Sequence, residues 1–230
     1  LLTGYFIPVS VPVMDLSTSG VFADAAYYET IHAGKQQNVA ADFRVKKYQL
    51  DFSMGLNLTG RAKVYVDQSE LKSYRFTLYH GYKVKQVTDQ TGAALDFRRE
   101  YDYVTVTRGG ADVEYLCLEY TGKSPKYYSS YAGVCLPANF AYYPIPGYRE
   151  LFKDSFYGFI DCSLPYDTAF DVRCSGRKQM YCNLAARGNN HFAGNARSIT
   201  LLSGYYDTLK LNNTLVVYPK YADGEIRARI

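Results

Sequence analysis

Residue types able to do acid–base, metal or nucleophilic chemistry are sparse and scattered in this 230-residue sequence. Its three histidines, His32, His80 and His191, have no second His, Cys or carboxylate at the spacing metal ligation requires. There is no His-Glu-x-x-His pair, no nucleophile elbow and no phosphate-cradling loop. Thr107-Arg-Gly-Gly-Ala lacks the strand-then-helix setting of a phosphate site and reads as a hairpin turn. Asp161, Asp167 and Asp171 flank one hairpin pattern and read as solvated turn residues rather than an acid/base couple. The expectation is a chain with no catalytic residues, no metal site and no cofactor.

Five cysteines, Cys117, Cys135, Cys162, Cys174 and Cys182, form no Cys-x-x-Cys pair, and an odd count argues against a disulfide framework. Cys162 shares strand parity with Phe156, Ile160 and Leu164, and Cys174 with Phe170 and Val172. Both then point into a core as small hydrophobes, and a Cys162–Cys174 disulfide is the alternative. The sequons at Asn57 and Asn212 read as incidental.

Net charge is +4, from 26 basic and 22 acidic residues, too small and too evenly spread for a nucleic-acid partner. Arg44-Val-Lys46-Lys47 reads as a solvated strand face. Composition singles out tyrosine: 25 Tyr and 12 Phe with no Trp lean toward pleated, half-buried surfaces. These aromatics crowd into one irregular stretch between Thr121 and Gly147. The candidate contact residues are Tyr127, Tyr128, Tyr131, Phe140, Tyr142, Tyr143 and Tyr148. Two uses fit them: packing against a neighbouring domain, or stacking on a glycan or peptide at a cell surface.

The elements around that stretch are strands. Ala62, Val64 and Val66 alternate with charged and polar neighbours, as do Tyr74, Phe76 and Leu78, and then Val104 and Val106. Leu58-Thr-Gly60, Asp89-Gln-Thr-Gly92, Arg108-Gly-Gly110 and Leu211-Asn-Asn213 supply turns. The pattern resumes over 156–164, 169–174, 180–184, 198–202 and 214–218. Residues 1–42 read as an extended lead-in with a short helix over 21–33, stopped by Gly34. Residues 43–218 read as one all-β, antiparallel, multi-strand domain of saddle or β-sandwich type, and 219–230 as a linker toward a further domain. The apolar opening is interrupted by Pro8 and Pro12 and has no basic flank, so it does not read as a signal peptide. A first residue other than Met suggests a segment of a longer chain.

The order of segments resembles the N-terminal β domain of the aminopeptidase N (gluzincin) metallopeptidase family. The resemblance runs through Tyr48-Gln-Leu-Asp-Phe-Ser, Leu58-Thr-Gly-Arg-Ala-Lys-Val-Tyr-Val, Arg75-Phe-Thr-Leu-Tyr and Leu116-Cys-Leu-Glu-Tyr-Thr-Gly122. It continues through Ala141-Tyr-Tyr-Pro144, Phe156-Tyr-Gly-Phe-Ile-Asp-Cys-Ser-Leu-Pro165 and Phe170-Asp-Val-Arg-Cys-Ser-Gly176. It is most similar to bacterial versions fused to ABC transporter permeases. The resemblance implies a non-catalytic, extracytoplasmic domain, anchored in a membrane through parts outside this sequence and packed on a separate catalytic or pseudo-catalytic domain. The family's substrate-gripping Gln or Glu has no counterpart in Ser129 to Cys135, so no site residue is carried over.

Overall fold

The computed structural model describes residues 24, 26–29, 38–124, 127, 129, 133–153, 158–177, 179–212 and 214–229. Among them the first half forms β1 (Val45–Met54), β2 (Leu58–Val66), β3 (Ser73–Thr77), β4 (Tyr82–Thr88), β5 (Phe97–Glu100), β6 (Tyr103–Thr107), β7 (Tyr115–Gly122), β8 (Val134–Leu136) and β9 (Ile145–Pro146). The second half adds β10 (Phe152–Lys153), β11 (Gly158–Phe159), β12 (Thr168–Ser175), β13 (Tyr181–Cys182), β14 (Ala185–Gly188), β15 (His191–Ala196), β16 (Leu201–Ser203), β17 (Tyr206–Leu211) and β18 (Thr214–Pro219).

Seven strands make the main sheet, in the order β14-β15-β12-β1-β2-β7-β4, and β5-β6-β3-β9 make a second. Smaller sheets are β13-β16-β8, β10-β11 and β17-β18. Period-two patterning explains the main sheet. On β1, Tyr48, Leu50, Phe52 and Met54 are buried and face Val64, Ala62, Gly60 and Leu58 of β2. Each fully buried Leu or Phe in such a row contributes about 1.5–3 kcal/mol. Gly60 is glycine for a steric reason: a Cβ there would lie 2.4 Å from the Tyr120 ring of β7.

The all-β class is as expected, with departures in detail. β1 and β12 pair in parallel, aligning Tyr48 with Phe170 and Leu50 with Val172 across a long connection. The Tyr48 and Phe170 rings stack at 5.0 Å. Of the strand expected over 156–164, the described residues keep Gly158–Phe159, and 154–157 lie outside them. Residues 24 and 26–29 are helical, with Tyr28 buried, while Val21, Ala25 and His32 of the expected helix lie outside the described residues. The C-terminal stretch carries a 3-10 turn, Lys220–Ala222, and a short helix, Asp223–Arg229.

Candidate functional site

The aromatic stretch divides into a part that builds the core and a part that lines a cleft. Phe140, Tyr142 and Tyr143 are buried to within 1%. That removes them from the set of surface contact residues. Their rings pack against Tyr79, Phe52 and Tyr48, and the polar ends of neighbouring tyrosines are used internally. The Tyr48 hydroxyl donates to the Pro144 carbonyl at 2.8 Å, Tyr120 to the Tyr142 carbonyl at 2.9 Å, and Tyr142 to the Ile199 carbonyl at 2.7 Å. Burial raises the hydroxyl pKa of Tyr48, Tyr120 and Tyr142 far above the phenol range, so all three stay protonated donors. Tyr127 is half-buried, its ring 4.9 Å from Phe140. Tyr128 and Tyr131 lie outside the described residues.

Tyr148 is the exception. It stacks on Tyr103 at 4.4 Å, its hydroxyl meets Thr105, and one face lines a cleft of about 400 Å³. Val39, Ala41, Phe43, Pro146 and Pro165 give the cleft an apolar lining. Tyr148 and Tyr166 add aromatic walls, and two arginines, Arg44 and Arg149, complete the basic part of the lining. Backbone pairing sets the geometry. Val39 and Tyr148 exchange two 2.8 Å hydrogen bonds, and between them Gly147 adopts φ +84°. A Cβ on Gly147 would sit 2.7 Å from the Val39 carbonyl oxygen, so both conformation and space require glycine there. The Thr77 hydroxyl donates to the Gly147 carbonyl and accepts from the Arg149 N–H, each at 2.8 Å. One arginine is steered by backbone: Arg149 donates to the Ser163 carbonyl at 2.8 Å. The other lies over the Tyr166 ring at 4.1 Å, while the Tyr166 hydroxyl accepts from the Val45 N–H.

A second polar cluster lies where the helical residues 26–29 meet the β5–β6 hairpin. Asp102, fully buried, accepts from the Tyr28 hydroxyl at 2.8 Å and from the His80 N–H at 2.7 Å, with the His80 ring Nδ1 at 3.1 Å. Asp24, 2% exposed, accepts from the Tyr79 hydroxyl and lies 3.9 Å from His80 Nε2. Tyr27 stacks on the His80 ring at 3.5 Å. Arg99 spans the floor, donating to the carbonyls of Leu78, Tyr79, Tyr82 and Tyr101. Sequence spacing alone hid this cluster, because its acids stand 22 and 56 residues from His80. These hydrogen bonds and the Tyr27–His80 stack tie Asp24, Tyr27 and Tyr28 to the β body. The second histidine near an acid is His191, whose Nε2 is 3.0 Å from Asp171 on the neighbouring strand. Asp171 is thus a strand residue, whereas Asp161 is the turn residue expected, accepting from the N–H and hydroxyl of Ser163. Among the described residues, no group of three or more His, Cys, Asp or Glu is arranged to hold a metal ion.

All five cysteines are free thiols, so the alternative Cys162–Cys174 disulfide is not formed. Burial pushes the Cys162 and Cys174 thiols up to about 12, and Cys182 to about 11, which leaves all three protonated and unreactive at neutral pH.

The described residues define an all-β, multi-sheet architecture that solved structures share. Two structures of leukotriene A4 hydrolase from yeast (Saccharomyces cerevisiae) share it: one at TM-score 0.53 and 10% identity, the other at 0.51 and 11%. Each match covers 83% of this chain and 34% of the yeast protein. An M1 zinc metallopeptidase from Deinococcus radiodurans, bound to a Tyr-Ser-Ala substrate, matches at TM-score 0.49 and 14% identity, over 77% of this chain and 48% of its own. The chain therefore spans about a third to a half of the length of these structures, and the likeness is one of fold. No protein-family model and no curated protein sequence matches the chain.

Proposed function

We propose that this chain is the non-catalytic β domain of a metallopeptidase-like protein, packing on a catalytic or pseudo-catalytic domain and shaping access to it. The observation that carries the reading is the fold shared with a third of the yeast hydrolase. A second feature supports it. The β17–β18 ribbon pairs with no other strand among the described residues, and its surroundings expose Tyr205 (59%), Leu215 (57%) and Tyr221 (81%). An isolated two-stranded ribbon is marginal in water, so a covering neighbour fits it. The same proposal extends to a membrane anchor outside this sequence, an extracytoplasmic location and linkage to an ABC transporter permease. No described helix is long and apolar enough to cross a membrane.

The test is turnover. The chain, supplied with zinc, is assayed against a panel of fluorogenic amino-acid amides, and no hydrolysis above buffer is expected. Saturable, chelator-sensitive hydrolysis by the homogeneous chain would overturn the reading. The parent reading frame tests the finer part, which fails if it encodes no membrane-spanning segment.

A further inference from the structure

We propose that the cleft between residues 38–44 and 146–149 is a binding site for a carboxylate carried on an apolar or aromatic body. The inference is independent of any neighbouring domain and rests on what the cleft gathers. Its volume, about 400 Å³, suits a small organic molecule or the last residue or two of a peptide. Its lining includes two arginines and no acid. Of the acids near the cleft, Asp42 pairs with Arg75 at 3.2 Å and Asp67 accepts from the Arg44 backbone N–H at 2.7 Å; Glu150 follows Arg149 in the chain and donates its backbone N–H to Asn38 at 2.8 Å, and it is not part of the lining. Asp161 is held by Ser163, and hydrogen bonds from that residue, with smaller contributions from Arg197 and Arg149, lower its pKa. The lining itself thus carries two basic residues and no acid, which favours an anionic ligand there.

The walls are set before any ligand arrives. Tyr148 is fixed by Tyr103 and Thr105, Tyr166 by the Val45 N–H, and Arg149 by the Ser163 carbonyl. Guanidinium forks recognise carboxylates through paired, charge-assisted hydrogen bonds, and the prolines, Phe43 and tyrosine faces take the apolar body. A site already ordered loses little entropy on binding, which favours a specific ligand over adventitious contact.

Titration calorimetry of the 230-residue chain decides it, with N-acetylphenylalanine, its uncharged amide, and a short peptide ending in a free-acid Phe as probes. The acid is expected to bind saturably and the amide roughly tenfold more weakly, as the loss of charge-assisted hydrogen bonds implies. Arg44→Gln is expected to cost the acid a similar factor while leaving the amide unchanged. Ala40→Trp, at an exposed position on the rim, blocks the cleft without touching Arg149, whose replacement also removes a backbone contact. A peptide acid that binds tighter than N-acetylphenylalanine identifies a peptide C-terminus as the source, and equal binding identifies a free small acid. Equal affinity for acid and amide, indifference to both Arg44→Gln and Ala40→Trp, or no binding of either acid overturns the proposal.

Discussion

Two places on this molecule gather charged side chains, and they differ in what meets the charge. Around His80, two buried carboxylates are surrounded by tyrosine hydroxyls, a histidine ring and, across the floor, Arg99. In the cleft beside Tyr148, two guanidinium groups share an apolar lining that contains no acid. A charge buried among its partners is committed to structure, because taking any partner away leaves an uncompensated group in low dielectric. A charge at a preformed opening without its opposite is available to a ligand. Substitutions in the first place should therefore cost stability, and those in the second should cost binding.

The largest effect is expected at Asp102. Asp102→Ala removes the acceptor for Tyr28 and His80 and should lower the unfolding free energy by about 3–5 kcal/mol in chemical denaturation. A loss below about 1 kcal/mol would erase the contrast between the two clusters. Gly147→Ala comes next. It forces a left-handed backbone and a clash with the Val39 carbonyl, for a loss of about 2 kcal/mol, and it should loosen the Val39–Tyr148 pairing that shapes the cleft.

The buried thiols give a pH dependence of similar reach. Cys162 ionises near 9 in the unfolded chain and near 12 when folded, because burial penalises the thiolate. The raised folded value means protonation favours the native state. Its stabilisation is complete below about pH 9 and is lost between 9 and 12, at about 1.4 kcal/mol per pH unit. Melting temperatures recorded across pH 7–11 should fall above pH 9, and replacing Cys162 with Ala should flatten part of that slope. Tyr142→Phe keeps the ring and deletes the hydroxyl bonded to the Ile199 carbonyl, for about 1–2 kcal/mol in the same denaturation assay. Arg44→Gln should cost least. The side chain is exposed and loses only its contact with Tyr166, worth at most about 1 kcal/mol, although it weakens the ligand.

The strands were legible because alternation is a local signal. Ala62, Val64 and Val66, and likewise Tyr74 and Phe76, point inward as their spacing predicts. The parallel pairing of β1 with β12 was not, since it joins segments some 120 residues apart and leaves no local trace. Tyrosine makes the aromatic stretch ambiguous between surface and core. The residue is at home in either place, and only the acceptors of Tyr48, Tyr120 and Tyr142, each distant in sequence, reveal it as core. Among the described contact candidates Tyr148 lines the cleft, and Arg44 and Arg149 carry no spacing that would mark them as its companions. The His80 cluster was hidden for the same reason: Asp24 and Asp102 reach it from separate elements.

The proposed role as a domain packed on a neighbour predicts that the C-terminal ribbon finds a cover in the parent protein. Hydrogen–deuterium exchange, comparing this chain alone with the whole parent, measures that directly. Amides of β17 and β18 should exchange readily in the isolated chain and become protected in the parent, while the main sheet is slow in both. Equal, rapid exchange of the ribbon in both would contradict the account.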